Sequence, residues 1–479
     1  MSRYAAALDF GSSKVALAVG EKLPSGIRIV SYHDAESAGI EGGEIVNDFK
    51  VEETVRALLK QAEADLHEPI EAVTIGLSGR ALHTKDLPCT INRPNPKAYI
   101  TEDEVREITR KRYNASLEGD EVVFEAVPQF YSTEDRIGIT HDELIGMVGG
   151  RIDAGFKLFF GRKSILDRRI TVLEKCGLRL EKAILAPIAS ARAVLSRPEM
   201  ENGVALVDIG KSTTEVAIVK DNIVRHVAII PFGGESITTD IKNELNITAG
   251  WAEIIKIEHG RCCEEYAVEN KKLVLKNENE VIDGEVELTL LARVIEARMS
   301  EIFDAVRFII DQSGYATKIS AGVVITGGCA HLENTIQLAT ALLGQKVRLA
   351  APQGSIDSVS QEAAFDVYAS TAVGLVLETL EPKLSHAMNH KMPDAPKLAV
   401  DPETLFKEEE PEEEPEPQRP DPREERRQRK EEERQRKEEE RQRKEEERRR
   451  KEEEKRRKEE ERKTQPSFWD TLFSNNDKA

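Results

Sequence analysis

The chain has no basic excess, no long apolar run and no cysteine framework, and each shortage removes a class of function. Across 479 residues, 69 Lys and Arg stand against 88 Asp and Glu, for a net charge of −19. A nucleic-acid binder needs the opposite balance, because it must neutralise phosphates. No stretch approaches the roughly 18 apolar residues of a membrane span. The few apolar residues before Asp9 are too short and too polar for a signal peptide. Five cysteines are scattered, with Cys262 and Cys263 adjacent and no CxxC pair. That usage predicts a reduced, cytoplasmic chain without a structural metal. Aromatics are only 5%, yet the length leaves room for about two to four domains with a large core.

Against these absences one pattern occurs twice. Val204 to Val219 reads as an apolar strand, the polar turn Asp208-Ile-Gly-Lys-Ser-Thr-Thr214, and a second apolar strand. Tyr4 to Val19 has the same layout around Asp9-Phe-Gly-Ser-Ser13. Alone, either is an ordinary turn; together they predict two related halves facing each other. A nucleoside triphosphate suits the space between them. Glycine lets backbone N–H groups approach phosphate oxygens, and the hydroxyls add donors. An Asp at each strand end suits a magnesium ion that keeps its water shell. A third element, Val323-Val-Ile-Thr-Gly-Gly-Cys329, is a buried-type strand ending in Gly327-Gly328, where bare backbone lets a base or ribose lie flat.

These three elements, in this order, resemble the phosphate-1, phosphate-2 and adenosine motifs of the actin-like ATPase superfamily. Within it the chain is most similar to the bacterial cell-division family FtsA. Asp9-Phe-Gly-Ser-Ser-Lys-Val15, Gly146-Met-Val-Gly149, Ala186-Pro-Ile-Ala-Ser-Ala191, Phe232-Gly-Gly-Glu-Ser-Ile-Thr-Thr-Asp240 and Ala252-Glu-Ile-Ile-Lys256 all match its pattern. The resemblance runs from about Ala5 to Leu380. It implies an α/β, actin-like two-lobed ATPase fold with an inserted small α+β subdomain. The first lobe is expected at 1–81 with 360–381, the insertion at 82–163, the second lobe core at 164–232 with 312–359, and its outer subdomain at 233–311.

The resemblance also assigns roles. ATP and Mg²⁺ are the expected ligands, with Asp9 and Asp208 around the metal. Gly11, Ser12, Ser13 and Lys14, with Gly210, Lys211, Ser212 and Thr213, are expected around the phosphates. Many relatives have Gly where Lys211 stands, so the second phosphate loop departs from the pattern. Gly233 and Gly234 are expected near phosphate as well. Lys242, Glu253 and Lys256 belong to the helix-rich stretch Ile237 to Cys263 beside the adenosine. Glu253 and Lys256, three apart, share a helix face and read equally well as a surface ion pair. Arg298, off the apolar stripe of a helix from Leu291 to Ile310, is expected to meet the C-terminal peptide of FtsZ. Further implied partners are other copies of the chain, inner-membrane lipid, and later division proteins through the insertion. The implied location is the cytoplasmic face of the membrane at the division site.

Several local elements follow from periodicity and caps. A helix is predicted over Val51 to Leu66, with Val55, Leu58, Leu59 and Ala62 on one face. Thr101 reads as a helix cap, and strands are predicted at Val122 to Val127 and Leu144 to Ile152. Small residues in Ala186-Pro-Ile-Ala-Ser-Ala191 predict a close helix crossing. Further helices are predicted at His331 to Leu343 and Phe365 to Leu380.

Beyond Glu381 the composition changes. Residues 382–423 are rich in Pro and Glu, as a solvated linker is. From Arg427 a seven-residue repeat, Arg-Gln-Arg-Lys-Glu-Glu-Glu, recurs at Arg434 and Arg441, with variants to Glu461. It has no apolar a or d position, which excludes a coiled coil. Pairs such as Glu432 with Arg436 and Glu433 with Lys437 instead favour a lone charged helix over 424–463, about 50 Å long across five repeats. The alternative is a disordered polyampholyte. At 464–479, a helix capped by Ser467 gathers Phe468, Trp469, Leu472 and Phe473 on one side. With no core to enter, they suit a bilayer or a partner groove. Asp470 and Asp477 weaken the lipid reading, so any binding to membrane should depend on avidity.

The function expected is an ATP-binding scaffold that polymerises at the membrane and tethers the FtsZ ring, with at most slow ATPase activity. A small-molecule kinase of the same superfamily needs a base beside an acceptor hydroxyl, and no candidate stands out. A pilus or secretion adaptor is the third reading, and the insertion and tail speak against it.

Overall fold

The computed structural model describes residues 4–386, apart from 81, 118, 268–270, 277–281, 354–355 and 358–360. The predicted charged spacer and the tail with Phe468, Trp469, Leu472 and Phe473 lie outside the described residues, as does the linker beyond 386.

Two five-stranded sheets share one topology. In the first, Tyr4–Phe10 pairs antiparallel with Lys14–Leu23, which pairs antiparallel with Gly26–Glu36. On its other side Tyr4–Phe10 runs parallel to Ala72–Leu77, and that strand runs parallel to Arg179–Leu185. The second repeats the plan. Val204–Ile209, Thr214–Lys220 and Ile223–Ile230 form the meander. Val323–Thr326 and Val347–Leu349 extend it in parallel. The central strands are buried runs of Val, Ile, Leu and Ala, as strands covered on both faces are. Helices supply the cover. Asp48–Leu66, capped by Asn47, buries Val51, Val55, Leu58, Leu59 and Ala62 in the first lobe. Leu288–Gln312 buries Ile295, Met299, Ile302, Phe303, Val306 and Ile310 in the second. The helices Ala186–Val194 and Ser370–Leu380 are almost wholly buried and pack on each other, as the small residues of the first predicted. The fold is thus α/β and two-lobed on the actin-like plan. Among the described residues no helix is long and apolar enough to cross a membrane.

Residues 82–162 build a separate three-stranded sheet with its own core. Arg151–Arg162 is its middle strand, flanked antiparallel by Leu82–Asn92 and Glu121–Ser132. The helix Glu102–Arg112 packs on it, with Thr101 accepting from the Glu104 amide. This sheet reaches the outer strand of the second lobe through side chains. Thr84 Oγ1 donates to the Val227 carbonyl at 3.1 Å, and Gln129 Nε2 donates to that of Val224 at 3.0 Å. Arg225 returns a bond to the Gln129 carbonyl at 3.0 Å.

Four expectations are corrected. The second lobe core does not begin at 164, since Lys163–Lys175 packs on Asp48–Leu66 and Arg179–Leu185 is a strand of the first sheet. The helix expected from Phe365 begins at Ser370, after the 3₁₀ turns Glu362–Phe365 and Val367–Ala369. Leu144 to Ile152 is not one strand. Thr140 and Glu143 form a capping box that starts a short helix, His141–Leu144, and the strand begins only at Arg151. The expected helix from His331 starts later, at Thr335, because Asn334 adopts a left-handed conformation (φ 66°) that no helix interior accepts. The 3₁₀ turn Gly328–His331 precedes it.

Candidate functional site

The two central hairpins turn in the same register. Phe10 pairs with Val15 and Asp9 with Ala16; Ile209 pairs with Thr214 and Asp208 with Glu215. Each therefore closes a four-residue loop, Gly11–Lys14 and Gly210–Thr213. Position by position Gly11 answers Gly210, Ser12 answers Lys211, Ser13 answers Ser212, and Lys14 answers Thr213. Both loops line one cleft of about 490 Å³ between the lobes.

Carboxylates form its floor. Asp9, Asp208 and Glu215 all line the cleft. Burial pushes Asp9 up to about 6, and the neighbouring Asp208 adds to the effect. Burial likewise raises Asp208 to about 6, although Ser190 Oγ donates to it at 2.9 Å. Glu215 is raised furthest, to about 8, by burial and by both aspartates. Ser78, at the end of a first-lobe strand, donates to the Glu215 carboxylate, so this second-lobe side chain is held from across the cleft. The Arg169 guanidinium lies behind the floor, fully buried. It donates to the carbonyls of Ile165 and Gly43, both at 2.7 Å, and burial lowers it to about 10. Such a like-charged cluster fits a cation. Among the described residues no three His, Cys, Asp or Glu groups converge tightly enough to chelate one. The arrangement instead fits Mg²⁺, which takes one or two carboxylates and completes its shell with water and phosphate oxygens.

The walls are polar and already ordered. On one side Lys256, 7% exposed, bonds Glu253 at 2.7 Å, Thr238 Oγ1 at 2.9 Å and the Gly234 carbonyl at 3.2 Å. The Glu253–Lys256 pair therefore belongs to the cleft, not to the open surface. On the other side Lys14 donates to Asp34 at 2.6 Å and Tyr32 at 2.7 Å, with its ammonium 3.8 Å from the Tyr368 ring centre. Burial holds that ammonium below its usual range, against the pull of Asp34. Gly327 sits at φ 89°, and a Cβ there would collide with the Asp208 carboxylate and the Ile209 backbone. Gly328 next to it has open space where its side chain would be.

Most of the sequence-predicted residues meet here: Asp9, Asp208, both hairpin loops, Gly234, Glu253, Lys256 and Gly327-Gly328 line the one cleft. Three do not. Gly233 packs behind the second loop, and Lys242 is exposed on the last turn of Gly234–Leu245. Arg298 is occupied by Asp240, in two bonds of 2.6 and 3.0 Å, and by Glu301 at 2.6 Å. Gly234 also differs from expectation. Its amide donates to the Gly210 carbonyl at 2.9 Å, and the Glu235 amide donates to that of Lys211 at 2.8 Å. The Gly-Gly turn thus braces the second loop from behind. Sequence reasoning missed Glu215, Ser78, Ser190, Asp34 and Tyr368. Glu215 alone left a signal, since the hairpin register places it directly across from Asp208.

Comparison with known proteins agrees with this geometry. A model of the family described as cell division protein FtsA matches residues 205–374. The cell division protein FtsA of Neisseria meningitidis serogroup B is 29% identical over 378 residues, 78% of this chain and 89% of that relative. That of Escherichia coli K12 is 28% identical over 377 residues, 77% and 88% of the two chains. Among solved structures, the PilM–PilN type IV pilus biogenesis complex superposes with a TM-score of 0.56 at 16% identity, over 79% of this chain and 99% of that one. At that identity the likeness concerns the fold alone. The resemblance read from the sequence is borne out.

Proposed function

We propose, on the premise that the chain is a relative of the FtsA cell-division proteins, that it is an ATP-binding scaffold that assembles on the cytoplasmic membrane face. In this reading it tethers the FtsZ ring there. One observation carries the nucleotide part: two hairpin loops in identical register converge on a cleft floored by Asp9, Asp208 and Glu215.

When bound, ATP with Mg²⁺ supplies an electrophilic terminal phosphorus and the cation that neutralises the floor. Asp9 and Asp208 would hold the cation, and Ser190 keeps Asp208 oriented. The two loops present backbone N–H groups and the hydroxyls of Ser12, Ser13, Ser212 and Thr213 to phosphate oxygens. Lys211 adds a point charge at the second loop, while Lys14 stays engaged with Asp34 and Tyr32 and steadies the first. Gly327-Gly328 and the Lys256–Glu253 wall take the nucleoside. Once a cation neutralises the floor and Glu215 releases its own proton, this carboxylate, steadied by Ser78, would accept a proton from an attacking water. Turnover is expected to be slow, because among the described residues the cleft lining holds no arginine to stabilise charge on the transferred phosphoryl group.

Polymerisation and membrane attachment rest on kinship and on the sequence of the tail. By sequence, Phe468, Trp469, Leu472 and Phe473 are four bulky apolar residues behind a highly charged stretch, and they are read as the group that meets the membrane. FtsZ contact, with Arg298 as one element, rests on kinship alone.

The test is co-sedimentation with liposomes in the presence of ATP. The full chain is compared with Trp469→Asp, with a chain ending at Lys463, and with Asp208→Ala. Pelleting of the full chain alone supports the scaffold. Pelleting of Asp208→Ala as strong as the parent's would separate membrane binding from the nucleotide. No pelleting of the full chain would overturn the membrane reading.

A further inference from the structure

The segment that leaves the last core helix is fastened at two places that belong to different parts of the fold. Just past Ser370–Leu380, the amides of Lys383, Leu384 and Ser385 all donate to the Glu378 carboxylate, at 3.0 to 3.2 Å. Glu378 is fully buried, with Arg192 Nε 3.5 Å away. Leu384 is itself buried among the first-lobe core residues. Those contacts tie the segment to the lobe it leaves.

The second fastening is to the inserted subdomain. Glu125, in the middle of the strand Glu121–Ser132, has no exposed surface. Its carboxylate accepts from Ser385 Oγ at 2.8 Å and from the His386 amide at 2.8 Å. The Tyr113 hydroxyl, just past the helix Glu102–Arg112, lies 2.9 Å from Glu125 Oε1 and 2.9 Å from the His386 carbonyl. A buried acidic group on a strand is costly unless partnered, and two of its three partners here come from residues 385–386. Nothing in nucleotide binding uses Glu125, since it does not line the cleft.

We infer that residues 383–386 are a strap joining the first lobe to the inserted subdomain, so that the charged arm following it in sequence is rooted on both. Release of the strap is then felt at the insertion through Glu125, and displacement of the insertion changes the hold on the strap. By linkage the coupling runs in both directions.

Hydrogen–deuterium exchange on the full chain tests this. In Ser385→Ala and in Glu125→Ala, the amides of 384–386 are expected to exchange at least about tenfold faster. In Leu384→Asp, which expels the strap, the amides of Tyr113, Asn114 and Ala115 are expected to speed up as well. In the parent these bond the carbonyls of Arg110, Lys111 and Arg112. Exchange in the strand Val204–Ile209 reports whether the fold survives. Should Glu125→Ala lose that protection, the milder Ser385→Ala decides. Exchange at 384–386 within about twofold of the parent in Ser385→Ala overturns the strap. So does an unchanged Tyr113–Ala115 segment in Leu384→Asp with the Val204–Ile209 strand intact.

Discussion

Replacing Gly374 by alanine should pry open the crossing beneath the cleft. A Cβ at Gly374 would lie 1.8 Å from the carbonyl oxygen of Ala189. An ordinary carbon–oxygen contact is about 3.4 Å, so the two helices must separate by roughly 1.5 Å. The obstacle is backbone, which has no rotamer to yield. Overpacking of that kind costs about 3 kcal/mol, whereas alanine regains about 1 kcal/mol of helix propensity. The net loss is about 2 kcal/mol. For a folded body of this size that corresponds to a fall in Tm of about 2–4 °C. The two helices also carry Ser190 and Thr371, whose hydroxyls lie 2.9 Å apart, and Ser190 holds Asp208. Separation should therefore weaken binding of a fluorescent ATP analogue at the same time. Thermal unfolding and a binding titration read the two effects. An unchanged or raised Tm with unchanged affinity refutes the reasoning, because propensity would then outweigh a clash the geometry makes unavoidable.

Other perturbations have equally definite outcomes. Glu215→Gln should leave nucleotide affinity near the parent's and lower single-turnover hydrolysis about 100-fold; loss of both together would make Glu215 a structural residue. Arg93, 8% exposed, bonds Glu104 twice and the carbonyls of Ala98, Tyr99 and Gly149. Arg93→Met should cost about 3–5 kcal/mol, seen as lost exchange protection in the inserted sheet with the lobes intact. In a buffer free of divalent ions, stability should fall as pH rises. Asp9 and Asp208 (about 6), Glu125 (about 7) and Glu215 (about 8) are raised by burial, so the folded chain keeps protons that the unfolded chain has released. Their contribution is complete below about pH 4 and is lost through about pH 6–8. A Tm that climbs from pH 5 to pH 8 would contradict it.

The hairpins were legible because each is local: alternating apolar strands, one Asp, one Gly, and a second copy to compare. The same holds for Asp48–Leu66, whose cap and apolar stripe lie within one stretch of chain. What stayed hidden depends on register between distant segments. Lys14 was legible as part of the first loop, but its bonds to Asp34 and Tyr32 and its stacking on Tyr368 were not. Gly233-Gly234 is expected near phosphate, and Gly234 lines the cleft, but the Gly234 amide is turned to the Gly210 carbonyl. Arg93 is followed by two prolines within three residues and carries no local sign of a role, although its guanidinium organises the insertion. Leu144 to Ile152 showed apolar residues at strand-like spacing, and the capping box of Thr140 and Glu143 overrode them.

The outer strand Ile223–Ile230 has a further consequence. Its Val224 and Val227 carbonyls are taken by side chains of Gln129 and Thr84, not by another strand. On the opposite lobe, Gly26–Glu36 is met by Asp357 and Gln361, whose amides donate to the Ile27 and Ile29 carbonyls. At both borders backbone acceptors are already taken, which hinders strand addition by a neighbouring copy there. At these two edges, copies of this chain that meet would do so through side-chain faces. Such contacts are reversible and tunable by single substitutions, and they bypass the template on which cross-β aggregates grow.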